Sequence, residues 1–580
     1  MRVTAASARA AISAHGLPAA PLALAMGVAA ALPSALAGEA SLVSAAATLA
    51  LVAVIAEACL IAAASLLPLD GAGTRARATT GSPKPARWAF PAATVALLAC
   101  WGAVFLALYP GCVTDDGLDI LHMVLGLPTR TDAFRYDGLN NHHPALYALA
   151  IKAVLGLGSA LGLGLTARLA LVTLAHMAAL AVCCAYAAAW LLRRYRSRAA
   201  FAGALAFFAL DPVLAKVSLA IWKDIPFAGC LLVFSLKLLD VLDAPATGPR
   251  GGRATKAPSP RDAAVLVALG LACALLRNNG LLAVGGALAV AALASRAHRR
   301  CLASALAATA LAYALVTGPV FALAGIAPGH FAESVGIPIQ QIARTYRDGG
   351  DIAPDDAEVF ERMLPAQGWA AGYNPGSANG VKFSHDFDDA YLDAHQGAFL
   401  AAWLRTGLSN PVVYLRAWCD QTAAFWHWDP ASRIWTASSR DVELGGEAVR
   451  KADLLPVPVA PEQVEATVSW TTEHLAPLFN QALLCWAVAA GTWALARRRD
   501  RAAACALLPQ LFLWATLIIA APSSDFRYAL PMFVMLPVIA CLVALKRPAR
   551  GSGDGAAAQP AGAHFAPGTP NPGDDGEGGR

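Results

Sequence analysis

The sequence predicts an all-α polytopic membrane protein with about twelve transmembrane helices. Juxtamembrane helices are expected in its first outer loop, and a mostly helical region outside the bilayer. Three observations lead there. Hydrophobic residues make up 57% of the 580 and charged residues only 14%, whereas a soluble domain carries roughly a quarter charged. Apolar runs of membrane-crossing length recur from one end of the chain to the other. Lys and Arg gather in clusters between those runs, which sets orientation through the positive-inside rule. The net charge of +5 is spread over these clusters. No basic patch is interleaved with aromatics, so nucleic acid is not an expected partner.

Residues 1–87 form an N-terminal two-span segment and a basic loop. The apolar run 17–37 ends in Ala35-Leu36-Ala37, the small-residue pattern of a signal-peptidase site. Its length favours a retained first span, and the orientation downstream is the same if it is cleaved. After the run 41–68 come Arg75, Arg77, Lys84 and Arg87, expected in the cytoplasm. Residues 88–323 are the transmembrane core. Its first span, 88–109, leads into an outer loop at 110–164. The apolar stretch 144–160 is read as a helix lying on the outer surface or dipping in and back. Counting it as a span would place Arg193, Arg194, Arg196 and Arg198 outside. Spans follow at 165–192, 199–211 and 225–243, then a basic Pro/Gly-rich loop. The arms 263–276 and 281–294 flank Arg277-Asn278-Asn279-Gly280 and read as a helical pair with an outward turn. One continuous helix would bury Arg277 in lipid at several kcal/mol. A span at 302–323 closes the core.

Residues 324–477 contain no convincing span and form the extracytoplasmic region. Its aromatics, among them Trp403, Trp418, Trp426, Trp428 and Trp435, are of the kind expected where a domain rests on lipid. The last spans, 478–496, 502–521 and 526–545, have Arg497, Arg498, Arg499 and Arg501 on the inner side. The tail, 546–580, is Gly/Pro/Asp-rich and expected to be disordered in the cytoplasm. Of the twelve cysteines, most lie in apolar runs and act as small hydrophobes. Cys112 and Cys419 fall outside the membrane and could form a disulfide.

With this topology the unusual polar groups collect on the outer face. Asp115 and Asp116 open the first loop, and Asn141, His142 and His143 close it. Lys223 and Asp224 precede a returning span, and Arg277, Asn278 and Asn279 sit in a tight turn. Asp525 and Arg527 open the last span. Any one of these could be a snorkelling or topology-fixing charge. Five such clusters on one face are harder to explain that way, because charges at the mouth of a bundle are costly unless they pair or serve a site. Carboxylates beside several cations suit a reaction between a polar acceptor and an anionic lipid phosphate.

In order, these pieces are Asp115-Asp116 in a large first outer loop, His143-Pro144 opening a juxtamembrane helix, and Ala167-Arg168-Leu169 entering a span. Then come IWKDIPFA (221–228), LRNNGL (276–281), IPIQQIAR (337–344) and DFRYALP (525–531). The set, over roughly residues 88–545, resembles the GT-C superfamily of polytopic glycosyltransferases, which includes the protein mannosyltransferases and the lipid A aminoarabinose transferase. It looks most like a less characterised bacterial branch. The two extra N-terminal segments and the large outer region depart from the best-known members. The resemblance implies a multi-pass enzyme of the cell membrane, working on the extracytoplasmic face. A sugar would pass from a polyprenyl-phosphate donor to a cell-envelope lipid, glycan or protein acceptor, with inversion. It puts the general base in the first outer loop, at Asp115 or Asp116, with Asp115 preferred as nearer the span. Arg527, Arg277 and Lys223 would hold the phosphate. Asn141, His142 and His143 would orient acceptor or sugar, and Gln340, Gln341 and Arg344 would read the sugar. Some members of that superfamily use a metal and others do not, and Asp115 and Asp116 could instead hold Mg²⁺ or Mn²⁺. Competing expectations are a lipid-linked glycan polymerase or ligase, a transporter or lipid flippase, and a scaffold. Mid-span charges, which transport needs, are nearly absent.

Overall fold

The computed structural model describes residues 5–38, 40–66, 87–127, 138–244, 259–428, 442–444, 446–449 and 459–545. The basic loops expected at 69–87 and 244–261 lie largely outside the described residues, as do Trp435 and the tail from 546. Helices dominate. The membrane-side elements begin with α1 (Ala5–Ala37), α2 (Leu42–Leu66) and α3 (Ala89–Ala107). Next come α4 (Asp115–Leu125), α5 (Ala145–Ala160), α6 (Leu165–Tyr195), α7 (Arg198–Leu210), α8 (Pro212–Val217) and α9 (Asp224–Leu242). The core ends with α10 (Pro260–Leu276), α11 (Gly280–Ala294), α12 (Arg299–Leu315) and α13 (Phe321–Leu323). A π-helical turn joins the last two.

Among the described residues, seven stretches are long and apolar enough to cross a membrane: Ala19–Ala37, Leu42–Ala62, Ala89–Ala107, Leu165–Tyr195, Asp224–Leu242, Arg299–Leu323 and Phe526–Ala544. Four shorter apolar helices accompany them, α5, α7 and α11 among these. This is a membrane protein of the all-α class. Burial sorts the seven into inner and outer. Two-thirds of Asp224–Leu242 and of Phe526–Ala544 is enclosed by protein, but only 11% of Leu42–Ala62 and of Arg299–Leu323. A helix apolar all round with little protein around it presents that surface to lipid. The largest core therefore forms where α6, α10 and the last helix pack around α9.

Local sequence fixes the boundaries that matter for the site. Thr114 caps α4 by accepting from the Gly117 N–H at 2.9 Å. Asp115 and Asp116 then occupy the first turn, where the helix dipole favours carboxylates, and Gly126 ends the helix with φ +70°. In α10, Ser259 and Asp262 form a capping box behind Pro260. Between α10 and α11 the chain turns at Arg277-Asn278-Asn279. Gly280 is required there, since a Cβ would meet the Cys273 carbonyl oxygen at 2.1 Å.

The outer region carries α14 (Gly336–Asp348), α15 (Pro354–Met363), α16 (Ala366–Gly372), α17 (Asn379–Lys382), α18 (Asp389–Ala394), α19 (Gln396–Ser409) and α20 (Pro411–Thr422). A short antiparallel pair follows, β1 (Val442–Leu444) and β2 (Glu447–Val449). The chain returns through α21 (Pro461–His474), α22 (Ala476–Phe479), α23 (Gln481–Arg497), α24 (Arg501–Ala506), α25 (Leu508–Ala520) and α26 (Leu530–Ala544). The outer helices have a core of their own, including Ile339, Ile342, Phe360, Trp369 and Phe399. Backbone bridges stitch that unit to the bundle. Ser524 N–H donates to the Gly376 carbonyl at 3.0 Å, and Asn141 N–H donates to that of Ala327 at 2.8 Å.

Two expectations change here. Cys112 and Cys419 are free thiols in separate cores. Cys112 is pinned by backbone bonds to Leu219 and Ile221, while Cys419 packs with Trp426 against α1. Trp403, Trp418 and Trp426 are also partly or fully buried against neighbouring helices. Trp403 donates to Gln341 at 2.9 Å, and Trp418 stacks on Trp426 with ring centroids 5.4 Å apart.

The first loop is held against the loop before α9. Cys112 N–H donates to Leu219 O at 3.1 Å, Ile221 N–H to Cys112 O at 3.0 Å, and the Thr114 hydroxyl to Ile221 O at 3.2 Å. A Cβ at Gly117 would lie 2.7 Å from the Ile221 carbonyl oxygen, whereas one at Gly203 meets nothing. Gly117→Val should therefore lower thermal stability in detergent by about 1–3 kcal/mol through overpacking. Gly203→Ala should leave it unchanged or slightly raised; equal behaviour of the two variants would contradict the docking.

Candidate functional site

A cavity of about 690 Å³ opens where the first loop, the α9 entry, the α10–α11 turn, the outer region and the 520–528 segment meet. That size is typical of small-molecule sites. Asp115, Asp116, Asp119, His142, His143 and Lys223 line one part of it. Arg277, Asn278, Asn279, Asp525, Arg527 and Tyr528 line another, and Glu333 and Lys382 belong to the outer region.

Asp116 is the centre. Its Oδ2 accepts from Arg527 Nη1 at 2.7 Å and from Lys223 Nζ at 3.3 Å, joining residues 411 positions apart. The carboxylate is 26% exposed, so it is both paired and within reach of a ligand. Burial alone would raise its pKa; Arg527 and Lys223 outweigh that and hold it well below the ordinary carboxylate value. Asp115, by contrast, is exposed at the rim. Both aspartates line the cavity, and Asp116 is the one bonded to Lys223 and Arg527.

Arg527 is fixed from several sides. Asp525 lies 3.1 Å from its Nε, and its guanidinium stands 5.3 Å from the centroid of Trp222. Arg277 pairs with Asp224, which is fully buried behind the cavity wall, and lies 4.5 Å from the Tyr528 ring centroid. Asp224 is thus an anchor for Arg277 rather than a lining residue.

Lys223 Nζ also lies 3.0 Å from His143 Nδ1. Since an ammonium can only donate, Nδ1 must be the acceptor and the proton of neutral His143 sits on Nε2. That Nε2 is buried and has no hydrogen-bond partner among the described residues. Burial, with Lys223 beside it, keeps the ring neutral, its pKa well below the usual histidine value. His142 packs edge-on, ring centroids 4.5 Å apart, and burial pushes it down to about 4. Asn141 accepts from the Ala145 N–H at 2.9 Å and starts α5; it positions the histidines without lining the cavity.

Gln340, Gln341 and Arg344 lie elsewhere. Gln340 donates to the Asn374 carbonyl, Gln341 to that of Tyr414 at 3.1 Å, and Arg344 pairs with Asp348 and Asp420. They are the internal framework of the outer unit and do not line the cavity. Sequence reasoning missed Glu333 and Lys382, joined at 2.7 Å, and Asp119. Asp119 had a signal, since it falls one helical turn after Asp115; Glu333 sits in a 3-10 turn and Lys382 ends the four-residue α17, elements too short to leave a periodic pattern.

Among the described residues no group of three or more His, Cys, Asp or Glu is arranged to hold a metal ion. Asp116 Oδ2 already faces two cations, which would repel a divalent ion at the same oxygen. The aspartate pair in this arrangement does not fit a resident Mg²⁺ or Mn²⁺.

The model described as "Family of unknown function (DUF6020)" matches residues 135–556, and the chain belongs to that family. No curated protein matches the chain, and neither does any solved structure. The matched span includes Lys223, Arg277 and Arg527 but begins after Asp116.

Two outcomes follow from the pairing. In a double-mutant cycle of Asp116→Asn and Arg527→Met, thermal unfolding should show a coupling of about 1–3 kcal/mol; additive effects would refute the pair. His142 is lowered from 6.5 to about 4 on folding. The unfolded chain therefore binds the extra proton between those values, and stability falls as pH drops below 6.5. At pH 5 the loss is on the order of 2 kcal/mol, and His142→Gln should flatten it; an unchanged pH profile in that variant would contradict the assignment.

Proposed function

We propose that the chain is a membrane glycosyltransferase that moves a sugar from a polyprenyl-phosphate donor to a cell-envelope acceptor. In this reading twelve spans place both termini in the cytoplasm, and the cavity faces the opposite side of the cell membrane. The observation that carries it is the carboxylate of Asp116 bound to Lys223 and Arg527 in one wall of a ligand-sized cavity. The order of motifs resembling GT-C enzymes supports the same chemistry.

The acceptor hydroxyl attacks the anomeric carbon from the face opposite the phosphate. The bond from that carbon to the phosphate oxygen breaks, its electron pair stays on the polyprenyl phosphate, and the hydroxyl proton passes to Asp116. The configuration inverts. A phosphate leaving group needs charge stabilisation rather than protonation, which Arg527, Lys223 and Arg277 can provide. His143 lines the same cavity and would help orient the sugar or acceptor beside Lys223.

A carboxylate held by two cations is a weak base. Arrival of the donor phosphate corrects this, because it competes for Arg527 and Lys223 and lets the Asp116 pKa rise. The base would then act only when donor is bound, which limits loss of sugar to water.

Transfer from a polyprenyl-phosphate sugar by the purified chain in lipid, with envelope mass spectrometry of cells with and without the gene, tests this. Asp116→Asn at normal expression should lower transfer by about 10²–10⁴-fold, and Asp115→Asn much less. Undiminished transfer in Asp116→Asn would remove the base; an envelope unchanged by loss of the gene would remove the reaction.

A further inference from the structure

The outer unit carries an apolar ridge that its own core does not use. In α19, Phe399, Ala402 and Thr406 are buried. Leu400, Leu404 and Leu408 follow one another at four-residue spacing on another face and are exposed. Val412 and Leu415 extend the ridge along α20. Exposure of these five side chains runs from 39% to 76%. An exposed aliphatic row of this length is unusual on a water-facing surface.

The depth of α20 indicates what covers it. Its C-terminal end is wedged among apolar helices. His427 Nδ1 donates to the carbonyl of Ala29 at 2.8 Å, and Ala29 lies eight residues from the end of the candidate span Ala19–Ala37. At 1.5 Å per residue that is about 12 Å inside the helix end. Trp486 donates to the Trp426 carbonyl at 2.8 Å, and Trp514 to that of Phe425 at 2.8 Å. Both tryptophans lie more than one turn inside their helices, α23 and α25. Three helices thus place residues 425–427 at the same depth, below the rim of the bundle. Gln421, next to the end of α20, donates to the Ala521 carbonyl just past the end of α25, so α20 leaves the bundle at its rim and the ridge begins there.

We infer that α19 and α20 form an interfacial helical hairpin, its Leu400–Leu415 ridge seated at the headgroup–acyl boundary of one leaflet. α20 packs beside the candidate span in α1, and the inference does not depend on the reaction proposed above. At its flank Arg405 pairs with Asp356 at 2.5 Å while remaining 59% exposed, as a side chain snorkelling to the headgroups would be. The arrangement is that of an interfacial amphipathic helix. It would anchor the outer unit against the leaflet.

The test uses the full chain in nanodiscs of phosphatidylethanolamine and phosphatidylglycerol. A photo-crosslinking amino acid replaces Leu404 or Leu408, and adducts are read by mass spectrometry. Leu311, exposed in the candidate span Arg299–Leu323, serves as the lipid-facing control, and Glu358, 74% exposed on α15, as the water-facing one. Lipid adducts at 404 and 408, as at 311, with none at 358, are expected. Water-quenched product alone at 404 and 408 while 311 labels lipid would overturn the inference. So would adducts to a second copy of the chain, which would make the ridge an oligomer contact.

Discussion

The site depends on one carboxylate shared by two cations. Asp116 comes from the first turn of α4, Lys223 from the entry to α9 and Arg527 from the entry to the last span, and Asp116 Oδ2 joins them. In a poorly hydrated cavity each of these charges would be costly alone, and each removes part of the others' penalty. Everything around the cluster fixes its members. Thr114 and Gly117 set the pitch at which α4 meets the Ile221 strand-like segment. Asp525 and Trp222 hold Arg527. The Asp224–Arg277 pair closes the floor behind them.

Such a cluster serves a ligand better than it serves stability. Buried ion pairs contribute little net stability compared with well-packed apolar groups. Here the charges line a cavity, and the buried His143 Nε2 has no partner among the described residues. A phosphate entering beside Arg527 and Lys223 exchanges one anion for another, so the cations never lose compensation. That exchange also frees Asp116, which ties its proton affinity to occupancy of the donor position.

Much of this was legible in the sequence, and the reasons are physical. Composition and the spacing of basic clusters give an all-α membrane chain because lipid leaves few alternatives for the backbone. Asp116, His143, Lys223, Arg277 and Arg527 stand out as charges at span ends, where charge is conspicuous. Position within such a motif is less visible. One residue of helical rotation separates exposed Asp115 from Asp116 among the cations, and periodicity alone did not choose between them. In the outer region the pattern misleads, because polar residues are common there. Gln340, Gln341 and Arg344 serve the internal framework, while Glu333 and Lys382 reach the cavity from one-turn helices. Trp403, Trp418 and Trp426 look like surface anchors in sequence, yet are partly or fully buried among helices, where a large ring gains contact area and a partner for its N–H.

The most direct measurement is a cryo-electron microscopy structure of the full chain in a lipid nanodisc with a polyprenyl-phosphate sugar. The account predicts phosphate density between Arg527 and Lys223, with the Asp116 carboxylate turned away from them towards the sugar. Phosphate bound elsewhere, or an Asp116 still bridging both cations while the donor is held, would contradict it.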